Sequence, residues 1–103
     1  MNKESIDETL KPLIFAAIDE VNMMLSEERK LVKSDDTVLL GDSGTLDSLG
    51  LINLIVAVEQ KIEERLGIAV SLVDEGAVST DEPLFTVGML AARISSLLSR
   101  KSR

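Results

Sequence analysis

Apolar residues return every three or four positions in three separate stretches of the chain, a period that suits helices and not strands. The first stretch is Ile6, Leu10, Leu13, Ile14, Ala17, Ile18, Val21, Met24 and Leu25. The second is Leu51, Leu54, Ile55, Val58, Ile62 and Leu66, and the third Val87, Leu90, Ala91, Ile94, Leu97 and Leu98. Each reads as an amphipathic helix, with charged and polar residues on the opposite side. Two phenylalanines are the only aromatic residues in the 103, so the core has to be built from Leu, Ile, Val, Ala and Met. That supply favours packed helices over a strand sandwich, which draws on aromatic and β-branched residues. At this length one core, and hence a single domain over 1–103, is expected.

Punctuation residues set the expected boundaries. Ser5 and Glu8 have the spacing of a capping box, whereas Pro12 argues for a start near Thr9, because proline is tolerated best in the first turn of a helix. Both starts are open on the sequence. From Ser26 to Gly44 the chain is polar, with Leu31, Val32 and Val38 to Leu40 scattered through it. Such a long connection tends to pack by its own side chains or to carry function. Val38 to Leu40 are expected to plug the core, and Gly41 to Gly44 to be mobile. Asp47 or Ser48 can N-cap the second helix, and Gly67 suits the left-handed position just past its end. Ile68, Val70, Leu72 and Val73 read as an extended loop. A short helix is expected after Thr80, with Asp81 and Glu82 in its first turn and Pro83 early enough to be tolerated. Thr86 is the N-cap of the last helix. The expected architecture is therefore all-α, a four-helix bundle of three longer helices and one short one, with a long loop between helices 1 and 2. Residues from about 99 to 103, with Arg100, Lys101 and Arg103, read as a flexible basic tail.

Charge and missing residue types exclude whole classes of function. A formal net charge of −7 argues against nucleic acid and anionic membranes as partners and makes basic protein surfaces the natural complement. The chain has no cysteine and no histidine. It therefore has no disulfide framework, no thiolate metal site and no imidazole base. Asp42-Ser43 inside Gly41-Asp42-Ser43-Gly44 looks like a protease nucleophile loop, but without histidine no Ser-His-Asp triad can form. No metal site and no enzymatic activity are expected. The apolar run from Leu49 to Val58 is far below the roughly 20 residues that span a bilayer. The first residues lack the positive-then-apolar pattern of a secretion signal, so a monomeric cytoplasmic protein with no membrane span is expected.

A second Asp-Ser pair, Asp47-Ser48, stands directly before the second helix. That helix is apolar on two sides in its first turns: Leu49, Ile52 and Val56 fall off the core stripe and are continued by Glu59 and Glu63. A small domain has little room to bury such a helix all round, so the extra side reads as a patch kept for a partner, framed by Asn53, Glu59, Gln60 and Glu63. A serine at a helix start is also a common N-cap, and on the residues alone Ser48 need be no more than that.

The segment Leu46-Asp47-Ser48-Leu49-Gly50-Leu51, followed by an apolar helix ending in Glu63-Glu64-Arg65-Leu66-Gly67-Ile68, resembles the phosphopantetheine attachment region of acyl carrier proteins. Phe85-Thr86-Val87-Gly88 is similar to the start of their last helix, and the resemblance runs to about Leu98. It implies a four-helix carrier fold in which Ser48 holds a 4′-phosphopantetheine arm from coenzyme A, with Asp47 and Leu49 beside it. Asp47 would help a phosphopantetheinyl transferase dock or hold its magnesium. Common fatty-acid carriers have acidic residues at the positions of Asn53 and Gln60, so the partner face formed by Ile52, Asn53, Val56, Glu59, Gln60 and Glu63 is less charged here. Val73-Asp74-Glu75 and Asp81-Glu82-Pro83-Leu84-Phe85 look more like freestanding carriers that work with acyl- or aminoacyl-adenylating ligases and acyl transferases. A carrier for a specialised pathway is the expectation this supports. A fatty-acid synthesis carrier, or a helical adaptor with no prosthetic group, is the alternative.

Overall fold

Each of the three apolar periodicities folds as a helix: α1 (Lys3–Asn22), α2 (Ser48–Leu66) and α3 (Val87–Lys101). The structure is a computed structural model that describes residues 3–40, 46, 48–78 and 84–101. One core joins the helices. Leu10, Ile14, Ala17, Ile18 and Val21 of α1 meet Leu51, Leu54, Ile55, Val58 and Ile62 of α2 and Leu90, Ile94, Leu97 and Leu98 of α3, all of them buried. Helix α1 packs against both others, and an ion pair between Glu20 and Lys61 ties it to α2.

Helix α1 starts earlier than either sequence signal suggests, and Pro12 lies well inside it. Proline forfeits one intrahelical N–H bond and crowds the carbonyl four residues back. Here buried Leu10 and Ile14 anchor the helix on both sides of it, so tertiary packing outweighs the local penalty. The helix also ends sooner than its apolar pattern. Asn22 turns the chain by a reciprocal pair of bonds with Leu31: its Oδ1 accepts from the Leu31 N–H at 2.7 Å and its Nδ2 donates to the Leu31 carbonyl at 3.0 Å. Met24, expected on the buried stripe, is consequently exposed beside Met23, and Leu25 is only half-buried.

The long connection runs back along α1. After a 3-10 turn at Glu27–Arg29, Lys33 pairs with Asp19 at 3.1 Å and Asp35 with Lys11 at 2.7 Å. These exposed pairs contribute little individually but agree in direction. Within the turn, a hydrogen bond from Lys30, reinforced by its charge, holds the Glu27 carboxyl below its ordinary range.

Val38–Leu40 forms a strand, β1, antiparallel to a second, β2, at Phe85–Thr86, with Val38 opposite Thr86, Leu40 opposite Phe85 and an irregularity between. The expectation of an all-α chain is corrected to a mostly helical one with a two-stranded ribbon. Leu39 and Phe85 are fully buried, so the ribbon does plug the core as Val38 to Leu40 were expected to. Strands of two and three residues, separated by more than forty positions, are too short to display the alternation that marks a strand in sequence.

The ribbon delivers the chain to α3. Thr86 Oγ1 accepts from the Met89 N–H at 3.2 Å, which is the N-cap role expected of it. The Val87 and Gly88 N–H groups donate to the carbonyls of Thr37 and Asp35 at 3.0 and 2.9 Å. A side chain on Gly88 would bring Cβ to 3.2 Å from the Asp35 carbonyl oxygen, tighter than most such contacts, so the backbone at Asp35 would have to give by a few tenths of an ångström. Helix α3 continues through Lys101, and Arg100 and Lys101, read as part of a tail, are helical. Gly41 to Gly44, Asp47, the expected short helix from Thr80 to Pro83, and the last two residues lie outside the described residues.

Candidate functional site

Leu46 is buried just before α2, which fixes where the chain enters the helix, and Ser48 is the first helical residue. At the far end Gly67 takes φ +69° and its N–H donates to the Glu63 carbonyl at 2.9 Å, the left-handed stop that its sequence position predicts. Between these ends the helix separates its apolar residues by face. Leu51, Leu54, Ile55, Val58 and Ile62 are buried, whereas Leu49 is 68 % exposed, Ile52 42 % and Val56 44 %. The exposed three follow the three-then-four spacing of a single stripe, and from Ser48 to Val56 the stripe covers about 12 Å of helix.

Asn53, Gln60 and Glu63 are exposed on the same helix. Glu59 departs from its expected place on an open partner face. It is half-buried, and its Oε2 accepts from the Leu72 N–H at 2.7 Å. Leu72 opens a turn over residues 72–76, so Leu72 and Val73, expected with Ile68 and Val70 in an extended loop, lie in a turn instead. Ser71 heads that turn, its hydroxyl donating to Asp74 Oδ2 and its N–H to Glu75 Oε2, both at 3.0 Å, and Gly76 closes it at φ +81°. Buried Leu72 turns inward to the core while Val73 stays exposed. The alternation at Ile68 to Val73 was a poor guide because a helical turn can bury one residue of a pair as readily as a strand does.

Beyond the turn, Arg93 of α3 lies 5.0 Å over the Phe85 ring and donates to the Ala77 carbonyl at 3.3 Å. Neither this contact nor the one from Glu59 has a short-range sequence signature, since the partners are separated by 16 and 13 positions. Asp42, Ser43 and Asp47 fall outside the described residues, as does the Ser48 side chain. Among the described residues no group of three or more acidic, histidine or cysteine side chains is placed to hold a metal ion, and no helix is long and apolar enough to cross a membrane. Comparison with protein-family models, curated proteins and solved structures gives no match.

What the arrangement offers is a helix that begins at a serine and whose exposed face carries an apolar stripe, with two amides and a carboxylate on the same helix. The amino end of a helix favours a bound or attached anion through its outward N–H groups and macrodipole.

Proposed function

We propose that the chain is an acyl carrier protein: it holds an acyl or aminoacyl group as a thioester on a 4′-phosphopantetheine arm joined to Ser48 and passes it between enzymes of a specialised biosynthetic pathway. The observation that carries this reading is the exposed stripe of Leu49, Ile52 and Val56, which begins beside the first residue of α2 and gives other proteins an apolar surface next to the attachment point. In this reading the three helices belong to a four-helix carrier bundle whose short helix lies between α2 and α3.

Attachment requires a separate transferase. The Ser48 oxygen attacks the pantetheine-side phosphorus of the coenzyme A pyrophosphate, its proton passes to a base of the transferase, and the phosphorus–oxygen bond to 3′,5′-ADP breaks. Ser48 then carries a phosphodiester, which the helix start favours as an anion. The arm supplies a thiol that carries acyl groups as thioesters. The polypeptide has no cysteine, so this thiol has no competitor. Asp47 assists the transferase, and an adenylating ligase loads the arm. Asn53 and Gln60 support a dedicated partner over the fatty-acid enzymes, because amides donate and accept hydrogen bonds without the charge an acidic helix presents.

Incubation with coenzyme A, magnesium and a phosphopantetheinyl transferase, followed by intact-mass measurement, tests the proposal. One phosphopantetheine mass is expected on the native chain and on Ser43→Ala, and none on Ser48→Ala. Failure of the native chain to gain mass would leave the adaptor as the better account, and addition at Ser43 would move the site. Efficient service to fatty-acid elongation enzymes would replace the specialised pathway with fatty-acid synthesis.

A further inference from the structure

We propose that Met23 and Met24 form an oxidant-accepting pair: a peroxide converts both thioethers to sulfoxides while the fold stays intact and Met89, the methionine that packs on the core, is spared. The proposal concerns the polypeptide alone and does not rest on the attachment at Ser48.

Composition decides where an oxidant can act. The chain has no cysteine, histidine, tryptophan or tyrosine, which leaves its four methionines, Met1, Met23, Met24 and Met89, as the side chains that oxidise readily. Exposure then ranks those whose side chains are described. Met23 is 83 % exposed and Met24 68 %, whereas Met89 is half-buried in the first turn of α3 and packs against the core. A peroxide has to touch the sulfur to react, so the exposed pair meets it first. A sulfur lone pair attacks one peroxide oxygen, and the S–O bond forms as the O–O bond breaks. The departing hydroxide takes the proton from the transferred oxygen and leaves as water. Sulfur gives up two electrons and the peroxide receives them.

Local structure explains why the fold tolerates the product. Past the end of α1 the Met23 N–H donates to the Asp19 carbonyl, that of Met24 to Val21 and that of Leu25 to Asn22, at 2.9 to 3.2 Å. The two bonds between Asn22 and Leu31 hold the same turn from its other side. Val21 is buried and Leu25 packs against the core, so the turn is anchored on its inward side and presents Met23 and Met24 outward. None of these bonds or anchors uses a thioether, and an oxygen added there is solvated by water. At Met89 the same oxygen would turn an apolar side chain at the edge of the core into a polar one, which disrupts packing.

Peptide mass mapping with fragmentation, on the full unmodified chain after a limiting dose of hydrogen peroxide, tests the proposal. Met23 and Met24 should each gain one oxygen at least about three-fold faster than Met89, with Met1 read on its own peptide and left out of the comparison. Chain oxidised at the pair should keep its far-ultraviolet helix signal and its urea midpoint. In the Met23→Leu, Met24→Leu double variant the same dose should place more oxygen on Met89, because two competing sulfurs are gone. If Met89 of the native chain gains oxygen as fast as the pair, its sulfur is equally reachable and the proposal is wrong. It is wrong too if oxidation of the pair alone lowers the urea midpoint as far as truncation of buried Ile62 to alanine does, or if the double variant leaves oxidation of Met89 unchanged.

Discussion

Helices α2 and α3 begin alike, each after a buried residue, and each sends a complete apolar stripe into the same core, yet they treat their remaining surface differently. Among the described side chains, the outward positions of α3 are Ala92, Ser96 and Arg100, small or charged. Those of α2 include Leu49, Ile52 and Val56. Nothing in the core requires the second set, because Leu51, Leu54, Ile55, Val58 and Ile62 already fill the α2 side of it. A scattered exposed leucine is ordinary on any protein, but three such residues in one helical stripe beside a candidate modification site form a surface with a direction. The comparison separates what a helix needs in order to fold from what it carries in addition.

The largest effects should come from positions where the two helices agree. Ile62 and Leu90 are both fully buried, one in each stripe. Ile62→Ala and Leu90→Ala should each lower unfolding free energy in urea by about 2 to 5 kcal/mol, the range for a buried branched residue truncated to alanine with a cavity left behind. If Ile62→Ala proves nearly neutral while Leu90→Ala is severe, the inner face of α2 is not packed as that of α3 is, and the contrast loses its footing.

An intermediate effect should come from the helix starts. Thr86→Ala removes the oxygen that accepts from Met89, at a cost of about 0.5 to 2 kcal/mol by the same measurement. The carbonyls of Thr37 and Asp35 still satisfy Val87 and Gly88, so the low half of that range is expected. A loss well above it would mean that Thr86 also holds the ribbon register.

How much of this was legible differs with the range of the interaction. The stripes of α2 and α3, the stop at Gly67 and the cap at Thr86 depend on residues within four positions of one another, and the sequence carries them plainly. The start of α1 was not legible because Pro12 is a local signal overruled by buried neighbours on both sides. The ribbon was not legible because the paired residues Val38 and Thr86 lie more than forty positions apart, and neither short strand carries a pattern of its own. At the candidate site the separation of Leu49, Ile52 and Val56 from the core stripe could be read from spacing alone. The engagement of Glu59 could not, since a carboxylate at that position on a helix looks the same whether it faces solvent or reaches a backbone N–H thirteen residues later.

The smallest effect on stability should accompany a large effect on function. Ile52→Ser and Val56→Ser replace side chains that are more than two-fifths exposed, and serine has nearly the helix propensity of isoleucine and valine, so neither secondary structure nor core is challenged. Each change should alter unfolding free energy by less than about 1 kcal/mol. Apolar residues at the centre of a docking surface carry a disproportionate share of binding energy, however, so loading of Ser48 by the transferase should slow, through a raised KM with kcat little changed. The two readouts must part company for the stripe to be a partner surface. Destabilisation comparable with that of Ile62→Ala would show that α2 has no spare apolar face, and unchanged loading kinetics would show that the face is spare but unused by that partner. Ala92→Ser on α3 provides the matching control: it also changes an outward residue, and it should cost no more than about 0.7 kcal/mol of helix propensity while leaving loading where it was.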